Sequence, residues 1–396
     1  MCNLTDRVRL VTLGMLAAGL LVLALGVARL PAAGLAEPFA AGPGSVLQHD
    51  AHAAFDADDP VLAALEGAFR EQGIAGALRQ LSALSAAQTD LRPLEHHYVF
   101  EVARLSYAQT QDAAESFRQC GAVADTGCYH GVMDAFVAAT PWLARDDIAQ
   151  LCDGAPVTAR TPVLRIQCVH GVGHGLARVA GDRLLQALAA CDGFRSAQDR
   201  DACYSGVFMQ VIEETDARPD IDPFVLDPSR QVPFAMCRPL AERYQRTCYL
   251  QQPTVLLAAN GEDVPAAFAA CEQAPAPYVV PCSQGVGGWI SIYTHWDPGQ
   301  TSALCQLAAI PFRPWCLDGA VAAMATVHAA AARPMALCRN VAPDLRTFCF
   351  EAIGERIPAL YADQSDQERA CNLAQDQAWI QICRRSAGLP AGSRDR

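Results

Sequence analysis

Sixteen of the 17 cysteines lie between positions 120 and 383, and they follow one another as eight close pairs. The two members of a pair enclose 7 to 15 residues, most often 10 or 11. The pairs are Cys120/Cys128, Cys152/Cys168, Cys191/Cys203, Cys237/Cys248, Cys271/Cys282, Cys305/Cys316, Cys338/Cys349 and Cys371/Cys383. Pairing between nearest neighbours is the simplest disulfide pattern for this spacing, and each local bridge would stabilise the fold by about 3 kcal/mol.

The cysteine pairs also mark an internal repeat. The second members of successive pairs are 33 to 45 residues apart, most of them 33 to 35, which is the length of a helix–turn–helix repeat. Counted from the second cysteine, apolar residues recur at +1, +4 and +8, as on one face of a helix, and glycine stands at +3 in five of the eight pairs. We therefore expect an all-α fold, an α/α (helix-turn-helix) solenoid of about eight disulfide-stapled repeats over residues 120–385.

An apolar run near the N-terminus predicts a membrane anchor. Residues 10 to 28 are uncharged and mostly apolar, close to the ~20 residues that cross a bilayer as a helix. Arg7 and Arg9 precede this run, so the positive-inside rule places residues 1–9 in the cytoplasm. We expect a transmembrane signal anchor over residues 10–30, with the repeats in the periplasm or extracellular space; the alternative is a cleaved signal peptide. Disulfides agree with that location, because they form in oxidising compartments.

Three further segments complete the expected domain organisation. Residues 31–58 are rich in alanine, glycine and proline, which indicates a flexible linker. Residues 59–119 carry two long apolar helical patterns and no cysteine, so we expect an N-terminal helical hairpin that caps the repeats. Residues 386–396 are expected to form a disordered tail.

The charge of the chain narrows the classes of partner. The formal net charge of −12 leaves little basic surface to follow phosphates, so we expect no nucleic acid as a partner. The sequence also has no phosphate-binding loop and no dinucleotide fingerprint, so we expect no nucleotide. Besides the membrane, which the N-terminal helix would reach, the remaining partner class is another exported protein or a peptide.

These motifs carry two resemblances. The hairpins with paired cysteines resemble the cysteine-rich Sel1-like repeat proteins, which implies a curved solenoid that serves mainly as a binding scaffold. The stretches "GCYHGVMDAF", "QCVHGVGHGL" and "ACYSGVFMQ" resemble a group of uncharacterised exported prokaryotic proteins with Cys-paired helical repeats. In that group a leading helix usually carries a His-x-x-x-His pair, and here His97 and Glu101 take its two places.

Four residues of the first two repeats form a candidate metal site. His130 and Asp134 stand at +2 and +6 of the first repeat, and His170 and His174 stand at the same positions of the second. Residues four apart share one helical face, and equivalent positions of stacked repeats are neighbours. Three imidazoles and one carboxylate suit Zn, Fe, Cu or Mn, so we expect a transition-metal site whose metal the sequence leaves open.

Two classes of function remain open from the sequence. A metal here would be structural, transported or catalytic, and a catalytic site would use Glu213 or Glu101 as its base. The alternative is a Sel1-like protein- or ligand-binding scaffold with no metal and no catalysis, in which the +2 positions form only a polar helix edge. Gly171, Gly173 and Gly175 favour the metal site, because they weaken this helix by about 2–3 kcal/mol. Gly171 would admit a neighbouring helix, and Gly173 or Gly175 would make room for a ligand.

Overall fold

The computed structural model describes residues 59–88, 91, 95–120, 127–140, 152–153, 161–181, 183–217, 234–259 and 263–390. Within these ranges the chain is helical and forms no β-strand, which confirms the all-α prediction. The helices are α1 (Pro60–Ala87), α2 (Glu95–Thr110), α3 (Ala113–Cys120), α4 (Gly127–Ala139), α5 (Val163–Ala180), α6 (Leu184–Cys191), α7 (Ala197–Ala217), α8 (Glu242–Gln251), α9 (Pro253–Ala259), α10 (Val264–Cys271), α11 (Val279–Tyr293), α12 (Pro298–Cys305), α13 (Arg313–His328), α14 (Ala332–Asn340), α15 (Arg346–Leu360), α16 (Gln364–Asn372) and α17 (Gln377–Ser386). Short 3-10 turns precede three of them, at Ala276–Tyr278, Ile310–Phe312 and Pro343–Leu345.

Eight disulfides join the 16 cysteines between positions 120 and 383, each to its nearest neighbour in the sequence, with Cα–Cα distances from 5.3 to 5.7 Å. Six of the bridges join the last turn of one helix to the first two turns of the next, whereas Cys237 lies in a turn before α8. Cys120 is the last residue of α3, and its partner Cys128 is the second residue of α4. Cys271 at the end of α10 pairs in the same way with Cys282 in the first turn of α11. The predicted local disulfides and paired helices are therefore confirmed.

The second helix of each repeat packs against the second helices of its neighbours. The order of these contacts is α2, α4, α5, α7, α8, α11, α13, α15 and α17, and the first helices α3, α6, α10, α12, α14 and α16 each lie beside their own partner helix. The glycine at +3 permits the close approach. Gly171 lies over the backbone of His130, and Gly206 lies over the carbonyl of His170. A side chain at either glycine would overlap that backbone, so the recurring glycine serves the packing between repeats.

Helix α1, whose backbone is broken at Gly73 (φ 67°, ψ −168°), and helix α2 form the leading hairpin, which precedes the first disulfide. Asp59 caps α1, because its side chain accepts hydrogen bonds from the N–H groups of Val61 and Leu62. The hydroxyl of Tyr98 in α2 donates to the other carboxylate oxygen of Asp59 at 3.0 Å, which ties the starts of the two helices together. Since α2 packs on α4, the leading hairpin continues the row of second helices. The segment 59–119 thus contains this hairpin and nearly all of α3, the first helix of repeat one.

The predicted membrane anchor lies outside the described residues. The same holds for the predicted cytoplasmic N-terminus 1–9, the predicted linker 31–58, and residues 391–396 of the predicted tail. Among the helices that the structure describes, none has both the length and the apolar composition needed to span a bilayer. The anchor over residues 10–30 therefore stays a prediction from the sequence.

Candidate metal centre

Helices α4 and α5 place three histidines side by side in the protein interior. His130 of α4 and His170 and His174 of α5 are 4%, 8% and 2% exposed. One ligand atom from each of the three side chains lies within 4.8 Å of the others. The two helices approach closely because Gly171 of α5 meets the backbone of His130. This packing brings the +2 and +6 positions of the second repeat up to the +2 position of the first.

The three rings pack directly on one another. The ring centroids of His130 and His170 are 4.6 Å apart, those of His170 and His174 are 4.8 Å apart, and those of His130 and His174 are 5.9 Å apart. The Nε2 atoms of His170 and His174 are separated by 3.0 Å. Two imidazole nitrogens on one tetrahedral Zn²⁺ lie about 3.3 Å apart, given Zn–N bonds of about 2.05 Å. This pair therefore has nearly the spacing of two ligands on one ion.

The imidazole of His174 is held from the side that faces away from this contact. Nδ1 of His174 hydrogen-bonds Oε1 of Gln210 in α7 at 2.9 Å. The ring of His170 hydrogen-bonds the backbone of Ala202, also in α7. The side-chain oxygen of Gln210 only accepts, so the single proton of the neutral His174 ring lies on Nδ1. Nε2 of His174 then presents its lone pair to Nε2 of His170, and a metal-binding histidine is held through its other nitrogen in this way.

Burial keeps these two imidazoles neutral. It lowers the pKa of His174 from the ordinary 6.5 to about 4, although the hydrogen bond to Gln210 and the charge of Asp134 act to raise it. Burial is also the main reason that the pKa of His170 lies well below its ordinary value, and the charges of His130 and His174 lower it further. Neutral imidazole is the form that binds metal ions, so few protons compete for these nitrogens near neutral pH.

Asp134 does not belong to the histidine group, although the sequence predicts it as the fourth ligand. Its carboxylate is fully buried and lies between two arginines. Nε of Arg178 in α5 donates to Oδ1 at 2.9 Å, and Nε of Arg104 in α2 lies 3.2 Å from Oδ2. Each carboxylate oxygen therefore has a guanidinium beside it. The structure brings together three of the four predicted ligands and assigns Asp134 to ion pairs that join α2, α4 and α5.

Glu101 extends these ion pairs into an ionic cluster of Glu101, Arg104, Asp134 and Arg178. Nη1 of Arg104 lies 3.1 Å from Oε2 of Glu101. Burial raises the pKa of Glu101, the positive charge of Arg104 opposes this, and the negative charge of Asp134 adds to it. The carboxylate that the sequence analysis considered as a base is thus engaged with Arg104. The side chain of Glu213, the other base considered, lies outside the part of the chain that the structure describes.

The leading hairpin brings a fourth histidine to the group, which the sequence analysis missed. His96 of α2 places its ring edge-on to His130, with centroids 5.2 Å apart. Phe100, one helical turn further along α2, lies 5.6 Å from the ring of His174. His96 is half-buried, and it stays outside the three-residue group whose ligand atoms lie within 4.8 Å. The signal available in the sequence was the doublet of His96 and His97.

The packing of α2 explains why His96 is the histidine of this doublet that meets His130. Gly131 lies over the carbonyl of Phe100, just as Gly171 lies over the backbone of His130. By this contact Phe100 takes the +2 position of the leading helix, and His96 precedes it by one turn on the same face. The resemblance gave the two places of the His-x-x-x-His pair to His97 and Glu101, which follow His96 and Phe100 by one residue, and without a cysteine in α2 the sequence did not fix the register of this helix.

Two glycines of α5 serve helix packing and not a ligand. A methyl group at Gly173 would overlap the carbonyl oxygen of Cys203 in α7, and one at Gly175 would lie 2.6 Å from Cβ of Val137 in α4. The expectation that Gly173 or Gly175 makes room beside the imidazoles is therefore wrong. Helix α5 has close neighbours on two sides, which is why its glycines point in different directions.

Comparison with known proteins identifies no family, because no protein-family model, no curated protein and no solved structure matches this chain. The function has to be argued from the buried group of His130, His170 and His174.

Proposed function

We propose that this chain is a membrane-anchored, extracytoplasmic helical-repeat protein that binds one transition-metal ion through His130, His170 and His174. The observation that carries the proposal is the 3.0 Å separation of the Nε2 atoms of His170 and His174. The proton of His174 is directed at Gln210, so its facing nitrogen offers a lone pair. A cation between the two rings would accept a lone pair from each of the facing nitrogens.

The donor set favours particular metals among the four that the sequence allowed. Asp134 is engaged by Arg104 and Arg178, which leaves a group composed only of imidazoles. Imidazole suits zinc and copper, whereas manganese prefers carboxylate and water oxygens. Affinity for divalent metals also rises along the first-row series towards Cu²⁺ and stays high for Zn²⁺. We therefore expect Zn²⁺ or Cu²⁺ to bind more tightly than Fe²⁺ or Mn²⁺.

Metal content of the purified repeats tests the site. Wild-type protein produced under oxidising conditions should retain about one zinc or copper ion per chain after gel filtration, as read by mass spectrometry of the metal. The double variant His170→Ala, His174→Ala should lose it. His328→Ala is the control, because His328 packs on Trp296 far along the stack and touches no part of the site. A wild-type protein that neither carries nor takes up metal would leave only the scaffold interpretation.

Two sequence features support the proposed location. Eight disulfides indicate an oxidising compartment, and the apolar run over residues 10–28 follows Arg7 and Arg9. The full chain should stay in the membrane fraction after an alkaline carbonate wash, and protease added from outside should remove the repeats. Soluble repeats whose N-terminus begins after residue 28 would show instead that the segment is a cleaved signal peptide.

A further inference from the structure

The leading hairpin differs from the repeats in how it is fastened. Each of the eight repeats has a disulfide between its helices, whereas the chain has no cysteine between Cys2 and Cys120. Among the described contacts, α2 is joined to α4 by the ion pair of Arg104 with Asp134 and by the close approach of Gly131 to Phe100. These links are noncovalent, so the stability of the docked hairpin depends on side chains at the surface between α2 and α4.

His96 lies on this same surface and faces the histidine group. Its ring is 5.2 Å from the ring of His130, with an angle of 74° between the planes. The neighbouring His97 ring is 6.4 Å from that of His96 and shows no ring contact with the three buried histidines in the described structure. The first of the two histidines is therefore the one placed to reach the site.

On the basis of the proposed metal site, we propose that His96 is its fourth ligand and that the bound ion is a clasp between the leading hairpin and the first two repeats. A rotamer change of this half-buried side chain would bring its imidazole from beside His130 onto the metal. The resulting set, with His130, His170 and His174, would be a closed tetrahedral site. Closed four-coordinate sites are structural, whereas catalytic zinc sites keep one position for water. The ion would then fasten α2 to the first two repeats, as each disulfide fastens the two helices of a repeat.

Cobalt substitution tests the number of protein ligands. Co²⁺ should bind to wild-type protein with a tetrahedral visible spectrum that azide does not change, because no coordination position is open. His96→Ala should still bind Co²⁺ through three histidines, and azide or free imidazole should then shift its spectrum. X-ray absorption of the zinc forms should count four imidazoles in the wild type and three in the variant. His97→Ala, one residue away on α2, is the matched control and should behave as the wild type.

Hydrogen exchange tests the clasp itself. Zn²⁺ should slow amide exchange in α1 and α2 of the wild type and of His97→Ala, and in α4 and α5 of every variant that binds the ion. In His96→Ala the added protection of α1 and α2 should be lost while that of α4 and α5 remains. His96→Gln, which keeps a polar side chain of similar size, should behave as His96→Ala.

The outcomes separate this inference from the proposed function. Wild-type protein that takes up no Co²⁺ and no Zn²⁺ would remove the metal site and the clasp together. A wild-type cobalt spectrum that azide shifts as readily as that of His96→Ala would show an open site and would overturn only the role of His96. Equal protection of α1 and α2 by Zn²⁺ in His96→Ala and in the wild type would also overturn it.

Discussion

The Nε2 atoms of His170 and His174 face each other at 3.0 Å in the interior of the protein, and Gln210 holds the second ring from the opposite side at 2.9 Å. Gln210 is 1% exposed and comes from α7, which follows α4 and α5 in the row of second helices. A third helix thus orients His174, one of the three candidate metal ligands. Partners of this kind fix the tautomer of a ligating histidine and tune its affinity.

Replacing Gln210 should therefore weaken metal binding without removing a ligand. We expect Gln210→Leu to lower the affinity for Zn²⁺ by about 10- to 100-fold, measured by competition with a coloured chelator. Gln251→Leu is the matched control, because Gln251 is also a buried glutamine that bonds a neighbouring repeat, at Ser205. Equal losses of affinity in both variants would indicate a general effect on packing and would contradict the role of Gln210.

The residues that the sequence located correctly are those whose neighbours the repeat itself defines. The disulfides were predictable because each closes a separation of only 8 to 16 residues. His130 and His170 were predictable because equivalent positions of successive second helices are in contact. Asp134 occupies the same kind of position, but its environment depends on Arg104 and Arg178. Neither arginine stands at a +2 or +6 position counted from a cysteine, so the repeat gave no signal that they would meet this carboxylate.

The neutral imidazoles predict how the stability of the metal-free protein depends on pH. Below about pH 6.5 the unfolded chain protonates His174, whereas in the folded state the pKa of His174 is about 4. The unfolded state then binds more protons, so the free energy of unfolding falls as the pH drops from 6.5 towards 4. The loss from His174 alone is on the order of 3 kcal/mol. Urea unfolding in the presence of a chelator, between about pH 7 and pH 4.5, measures it.

A variant without the titrating ring isolates this effect. His174→Gln removes the ionisable group but keeps an amide that can hydrogen-bond, so its stability should fall less over the same pH range. Other buried groups, including Glu101 with its raised pKa, titrate alike in both proteins and cancel in the comparison. Parallel pH dependences in the wild type and His174→Gln would contradict the lowered pKa of His174.

Gly173 was considered either as a site of close helix packing or as room for a ligand, and the two roles predict opposite results when a methyl group is added. Since that methyl would overlap the carbonyl oxygen of Cys203, Gly173→Ala should lower the free energy of unfolding by about 1–3 kcal/mol. Gly67→Ala in α1 is the control, because its added methyl would meet nothing within 4 Å, and alanine there should stabilise the helix by up to about 1 kcal/mol. Unchanged stability in Gly173→Ala with weaker zinc binding would support instead a glycine that makes room for the ligand.

Asp134→Asn separates the ionic cluster from the metal site. The substitution removes the negative charge that Nε of Arg178 and Nε of Arg104 both face, so we expect a loss of about 3–5 kcal/mol in the free energy of unfolding. The folded variant should still bind one Zn²⁺ with an affinity within about tenfold of the wild type, because the histidine group retains all its nitrogens. Urea unfolding and chelator competition on the same preparation give both quantities. If Asp134 were a metal ligand, as the sequence predicts, Asp134→Asn should instead lose much of its zinc affinity and less of its stability. That result would contradict the assignment of this carboxylate to ion pairs.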